Sequence, residues 1–223
     1  MFIGHYGIAF GAKAAAPSTS LGTLFVAAQF ADLLWPVLLL TGIERIVIQP
    51  GATKVTPIDF VYYPFSHSLL SLVVMGMLAG CIYMLLTRYR RGAVVICLLV
   101  ISHWLLDALV HRPDLPLSPD SERFVGLGLW SSPLGSLFVE LLIFTTGVWF
   151  YLRSTVSKDT AGRWALWPLV SFLVIIYAAS VFGPPPPDVA TVAWAGQAQW
   201  LFILSAFWID RHRRYLCCPS QPY

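Results

Sequence analysis

Long apolar runs separated by short polar ones set the pattern of this chain. Six segments, roughly 21–43, 67–87, 92–111, 132–152, 165–182 and 190–209, are almost free of charge. At about 1.5 Å per residue each is long enough, or nearly so, to cross about 30 Å of hydrocarbon as a helix. A shorter apolar run, about 4–16, comes first and ends at Pro17; its length fits an interfacial helix, a re-entrant one or a short crossing. Unbroken runs rather than short alternating ones exclude a membrane β-barrel. The expected fold is therefore all-α: a polytopic transmembrane helical bundle with six long spans plus one short N-terminal helix. Loops 44–66 and 112–131 are rich in Pro, Gly and charge and are predicted to be irregular, and the GPPPPDV stretch at 183–189 reads as a stiff connector.

Composition turns this pattern into a statement about solvent. Of 223 residues, 57% are apolar and 11% charged, against about 25% charged in soluble domains. Too little polar surface exists to cover a water-facing globule, so lipid is the expected partner of most of the chain. Backbone groups in hydrocarbon must be satisfied within the segment, which again selects helices. The net charge of +3 is small, and no nucleic-acid partner is expected. Placement of charge is more informative. Lys13, Arg88, Arg90, Arg91, Arg153, Lys158, Arg163, Arg211, Arg213 and Arg214 fall at one set of segment ends. Arg45, Lys54, Arg112 and Arg123 fall at the other, with Glu44, Asp59, Asp114, Asp120, Glu122 and Asp188. By the positive-inside rule the first set, and the C-terminus with it, is cytoplasmic. Cys81 and Cys97 lie in apolar runs and Cys217 and Cys218 in the basic tail, with no zinc-ribbon spacing. The N-terminal stretch lacks a basic leader region and reads as mature structure.

Ionisable residues inside apolar runs ask for a reason, since each costs roughly 2.5–3.5 kcal/mol at a helix centre. They are Asp32, His67, His103, Asp107, His111 and Glu140, with His5 in the short first helix. In SHWLLDALVH, His103 and Asp107 are i, i+4 neighbours on one helical face, and His111 follows a turn later. Such a pair can hold one metal ion, or the carboxylate can fix the imidazole by a hydrogen bond. On the topology above, His67, Asp107, His103 and Glu140 all fall in the outer half of the bilayer, which favours a common site. Asp32 is nearer mid-depth, with Pro36 a candidate helix break that would put it at a helix end. Imidazoles and carboxylates without thiolates suit zinc, manganese or iron. Glu140 alone also fits a protonated or hydrogen-bonded acid between helices.

The order of these residues resembles the bacterial inner-membrane metal-dependent hydrolase family (YdjM/YbcI-like). The elements are His5 in Gly4-His5-Tyr6-Gly7, Asp32 in Phe30-Ala31-Asp32-Leu33, then Ser66-His67-Ser68, and then Ser102-His103-Trp104-Leu105-Leu106-Asp107. An outer Asp120-Ser121-Glu122-Arg123-Phe124 segment follows, as the family tends to carry. The likeness covers about residues 1–150 and leaves the last two spans outside it. It divides the chain into a hydrolase-like membrane domain, 1–152, and two additional helices with a basic cytoplasmic tail, 153–223, within one continuous membrane domain. Through the same run of His and Asp the family is similar to zinc-dependent phospholipase C and P1 nuclease. That likeness implies hydrolysis of a lipid or phosphoester in a bacterial inner membrane. Two family positions differ: a single carboxylate stands at Asp32, and Tyr62-Tyr63-Pro64-Phe65 replaces the run that would bear a further His and Arg. These departures favour a single-metal site, or a site that has lost activity.

The resulting expectation is a membrane-embedded hydrolase holding a divalent transition metal, zinc first. His67, His103 and Asp107 would be ligands, with Asp32, His5 and His111 as further candidates. Asp32 or Glu140 would act as general base, and Arg112 and Arg123 would hold an anionic headgroup. The rival classes are a proton- or ion-coupled transporter component, whose relay the same residues would form, and a non-catalytic membrane protein on the same scaffold.

Overall fold

A computed structural model describes residues 1–216, and Cys217 and Cys218 lie outside them. The helices are α1 (Ile3–Ala15), α2 (Leu21–Ala28), α3 (Phe30–Leu40), α4 (Pro64–His67), α5 (Leu69–Thr87) and α6 (Arg90–Val110). After them come α7 (Pro133–Ser154), α8 (Thr160–Trp164), α9 (Leu166–Phe182), α10 (Val189–Gln197) and α11 (Gln199–Arg211). Five helical stretches are long and apolar enough to cross a membrane: α5, α6, α7, α8 with α9, and α10 with α11. The pair α2–α3 makes a sixth if its 56° bend lies within one span. Their outward faces carry large apolar side chains such as Leu86, Phe138, Ile175 and Leu201, all exposed, as a lipid-facing surface requires.

The bend is not where proline would put it. It falls at Gln29, while Pro36 stays inside α3. Proline has no N–H to give the carbonyl four residues back, and the Asp32 carbonyl instead accepts from Gln199 Nε2 of α11 at 3.4 Å. Asp32 is thereby placed in the first turn of α3, just after the bend.

The short first helix lies in the interior. Ile3, His5, Tyr6, Ala9, Phe10 and Lys13 of α1 are all buried. At about 1.5 Å per residue its 13 residues rise only about 20 Å. It runs alongside α7 in the same direction, with Gly7 against Phe144 and Gly11 against Gly147. A Cβ on Gly147 would lie 1.8 Å from the Gly7 carbonyl oxygen, so only glycine permits this approach. At its far end Lys13 Nζ pairs with Asp210 at 2.9 Å and donates to the Thr19 carbonyl at 2.8 Å. His5 and Lys13 therefore mark opposite ends of the bundle interior.

The fold is not purely helical. Three antiparallel ribbons form, β1 (Arg45–Ile48) with β2 (Ile58–Tyr62), β3 (Leu115–Pro116) with β4 (Phe124–Val125), and β5 (Thr155–Ser157) with β6 (Arg213–Tyr215). Two of them lie in loops expected to be irregular. The β-branched and aromatic residues of Ile46, Val47, Ile48, Ile58, Phe60 and Val61 favour pairing, and Gly51 at φ 86° sits in the reversal between the strands. Ile46 pairs with Phe60 and Ile48 with Ile58.

Candidate functional site

Five of the expected residues converge. His5 comes from the first turn of α1, Asp32 from the first turn of α3, His67 from the end of α4, and His103 and Asp107 from the last turns of α6. Ser68 is extended (φ −80°, ψ 146°) and its hydroxyl caps α5 by accepting from Ser71 N. That break between α4 and α5 turns His67 inward, where it is 3% exposed.

Distances around the cluster are short. His67 Nε2 is 3.5 Å from Asp32 Oδ1 and 3.8 Å from Asp107 Oδ2. His103 Nε2 is 3.8 Å from Asp32 Oδ1 and 3.3 Å from Asp107 Oδ2. Two triads suited to a metal ion share His103: His5, His103 and Asp107, and Asp32, His67 and His103. The other oxygen of Asp107 is engaged separately, 3.1 Å from His5 Nε2 and 2.5 Å from the Met1 amino group. The His5 and His103 rings stack at 3.7 Å with 7° between planes.

Neighbouring groups fix which nitrogen of each imidazole carries hydrogen. His103 Nδ1 lies 2.8 Å from the Ala28 carbonyl, which can only accept, so Nδ1 carries a hydrogen and Nε2 is the nitrogen that faces the carboxylates. Among the described residues, that buried Nε2 has no hydrogen-bond partner. For His67 the argument passes through Ser66. The Ser66 hydroxyl donates to Glu44 Oε2 at 2.6 Å, leaving its oxygen to accept from His67 Nδ1 at 2.7 Å. Glu44 is 1% exposed and also accepts from the Phe65 and Ser66 amides, both at 2.9 Å. His67 Nε2 is thus the nitrogen that faces the cluster.

The remaining expected residues are placed differently. Glu140 caps α1: its Oε2 accepts from Phe2 N at 2.8 Å and Gly4 N at 3.4 Å, which is the hydrogen-bonded arrangement between helices. His111 follows the end of α6 in extended conformation and bonds Asp114 at 2.9 Å, away from the two triads. Arg112 is tied to Asp59 and to Asp114 (3.0 Å), and Arg123 is exposed in the loop between α6 and α7. Burial and the Asp114 carboxylate push the Tyr63 hydroxyl up, so it stays a donor, to Asp114 at 3.2 Å.

Sequence reasoning missed Glu44, read only as an outer-loop acid, and the aromatic wall of Trp35, Phe60 and Trp130. Twenty-two residues separate Glu44 from Ser66, so no local spacing announces their bond. A cavity of about 430 Å³ adjoins the cluster, bordered by Asp32, His67, Asp107 and Glu140 and otherwise by mainly apolar side chains, with Tyr177, Ser180 and Gln199 among the polar ones.

No family model matches the sequence, and no curated protein or solved structure is significantly similar to it.

Proposed function

We propose that the chain is a membrane-embedded metal-dependent hydrolase acting on a lipid or phosphoester in the outer half of a bacterial inner membrane, with its C-terminus cytoplasmic. One observation carries the reading. His67 Nε2 and His103 Nε2 lie 3.8 and 3.3 Å from Asp107 Oδ2, three ligand atoms for one ion, while Asp32 Oδ1, 3.5 and 3.8 Å from the same nitrogens, borders the fourth position. A zinc ion bound at about 2.0–2.1 Å sets tetrahedral edges of about 3.4 Å. Both imidazoles turn Nε2 to the centre and have Nδ1 held by a partner, the orientation seen in ligating histidines, which supports the reading. The donor set is nitrogen and oxygen only, which fits zinc, with manganese or iron as the alternatives.

When bound, such an ion supplies Lewis acidity and a water acidified toward neutral pH. The chain does the rest. His5 donates to Asp107 Oδ1 and so turns Oδ2 to the centre. Glu140 holds the start of α1, and with it His5. Asp32, whose side chain is 20% exposed against 3% for Asp107, is the carboxylate open to the cavity and so the one able to shuttle a proton. Hydrolysis joins the water hydroxyl to the phosphoryl or acyl centre and returns the proton to the leaving alcohol, and Asp32 stands where that proton must pass. The basic ends of the spans, with Lys13 beside Asp210 at the same end as Arg213, support a cytoplasmic C-terminus.

Elemental analysis of the purified full chain tests the reading. Bound zinc, manganese or iron is expected, and is lost in the double variant His103→Ala with Asp107→Ala. Wild-type protein free of these metals, or unchanged content in the variant, overturns it.

A further inference from the structure

We infer that α9, α10 and α11 form the binding wall for one aliphatic chain of a bilayer lipid, so that the substrate is an amphiphile cleaved beside its polar junction. The inference rests on the hydrolase reading for the cleavage and on the cavity for the tail. At about 430 Å³ the cavity falls within the roughly 300–1,000 Å³ usual for small-molecule sites. Its charged side chains, Asp32, Asp107 and Glu140, come from α3, α6 and α7, whereas the part contributed by α9, α10 and α11 is mainly apolar, with Tyr177, Ser180 and Gln199 its polar members. Ile176 and Val181 of α9, Val192 and Ala195 of α10, and Phe202 of α11 make the opposite wall. A small hydrophilic phosphoester would leave that wall unfilled, whereas an amphiphile matches both sides.

The route of access points the same way. α10 packs on α3, and the space between α10 and α9 is the cavity itself. Ser180, Ala195 and Ala198 line it and are exposed on the lateral surface of these two helices, between outward-facing Ile175 and Trp194. Ser180 and Ala195 also line a second cavity with Lys54, Thr56 and Pro184, so the mouth opens where α9 and α10 meet the adjoining loops. A chain sliding in from the bilayer exchanges one apolar surrounding for another and leaves no polar group unpaired, while its headgroup junction reaches the cluster. The two spans beyond the hydrolase-like region thus acquire a job: they hold the tail that the first part of the chain cannot.

The test uses full-length protein in phosphatidylethanolamine–phosphatidylglycerol vesicles doped with a phospholipid bearing a diazirine on one acyl chain. After illumination, adducts are mapped by mass spectrometry. Adducts on Ile176 and Val192, in excess over those on Ile175 and Trp194 of the same helices, are expected. Ala195→Leu and Ser180→Phe, filling the mouth from opposite helices, should each abolish the cavity adducts and spare the outward ones. Adducts spread evenly over inward and outward residues, or unaffected by both substitutions, overturn the inference. Metal content is read on the same samples. Cavity adducts on protein without metal uphold the tail site and sink the hydrolase reading; metal without cavity adducts does the reverse.

Discussion

At the scale of single residues, the centre depends on a chain of hydrogen bonds reaching out to a loop. Glu44 accepts from Ser66, and Ser66 accepts from His67. Glu44→Gln reverses the direction: an amide N–H would donate to Ser66, whose hydroxyl would then donate to His67 Nδ1 and send the imidazole proton to Nε2. Metal affinity should fall by about 10–100-fold, the usual cost of losing such an outer partner. A chelator-competition titration checks this, and unchanged affinity counts against the relay. His103, oriented by a backbone carbonyl, offers no comparable handle for substitution.

Among elements, the packing of α1 on α7 sets the position of His5. Gly147→Ala places a methyl group against the Gly7 backbone, so the helices must part. Overpacking of this kind costs about 1–3 kcal/mol. A lower thermal midpoint is expected, together with weaker metal retention, because His5 moves with α1; a midpoint unchanged from wild type would refute the close approach. The spans were legible in the sequence, since apolar runs declare themselves by length, and the i, i+4 pairing of His103 with Asp107 was legible for the same periodic reason. The site position of His111 was not: the helix ends at Val110, and helical spacing ceases to govern direction there. Nor was the ribbon of β5 and β6, because Thr155 pairs with Tyr215 across two whole spans; the two loop ribbons were hidden by the Pro, Gly and charge around their short strands. The break at Gln29 was missed because Pro36 looked the stronger breaker, until the Gln199 side chain is seen to satisfy the carbonyl that proline leaves bare.

For the whole molecule, the proposed orientation rests on charge placement and is open to direct labelling. Single cysteines at Lys54 and Arg123, in a background without Cys81, Cys97, Cys217 and Cys218, should react with an impermeant maleimide added to intact cells. A cysteine at Lys158 should react only after the membrane is opened. The opposite labelling would invert the bundle and move the centre to the cytoplasmic leaflet. Five helices, or six with the bent pair, are long and apolar enough to span, and the site occupies the end of the bundle where His5, rather than Lys13, is found.

The interior helix also dictates an order of assembly. α1 is about 20 Å long, carries a histidine near one end and a lysine at the other, and is too short to satisfy the insertion machinery alone. Its packing partner α7 ends at Ser154. At about 5–20 residues per second, roughly 7–28 s of synthesis separate the two helices. Throughout that interval α1 has only α2 and α6 of its partners to pack on. The centre is therefore completed late in biogenesis, and ribosomes stalled before α7 should leave α1 open to protease.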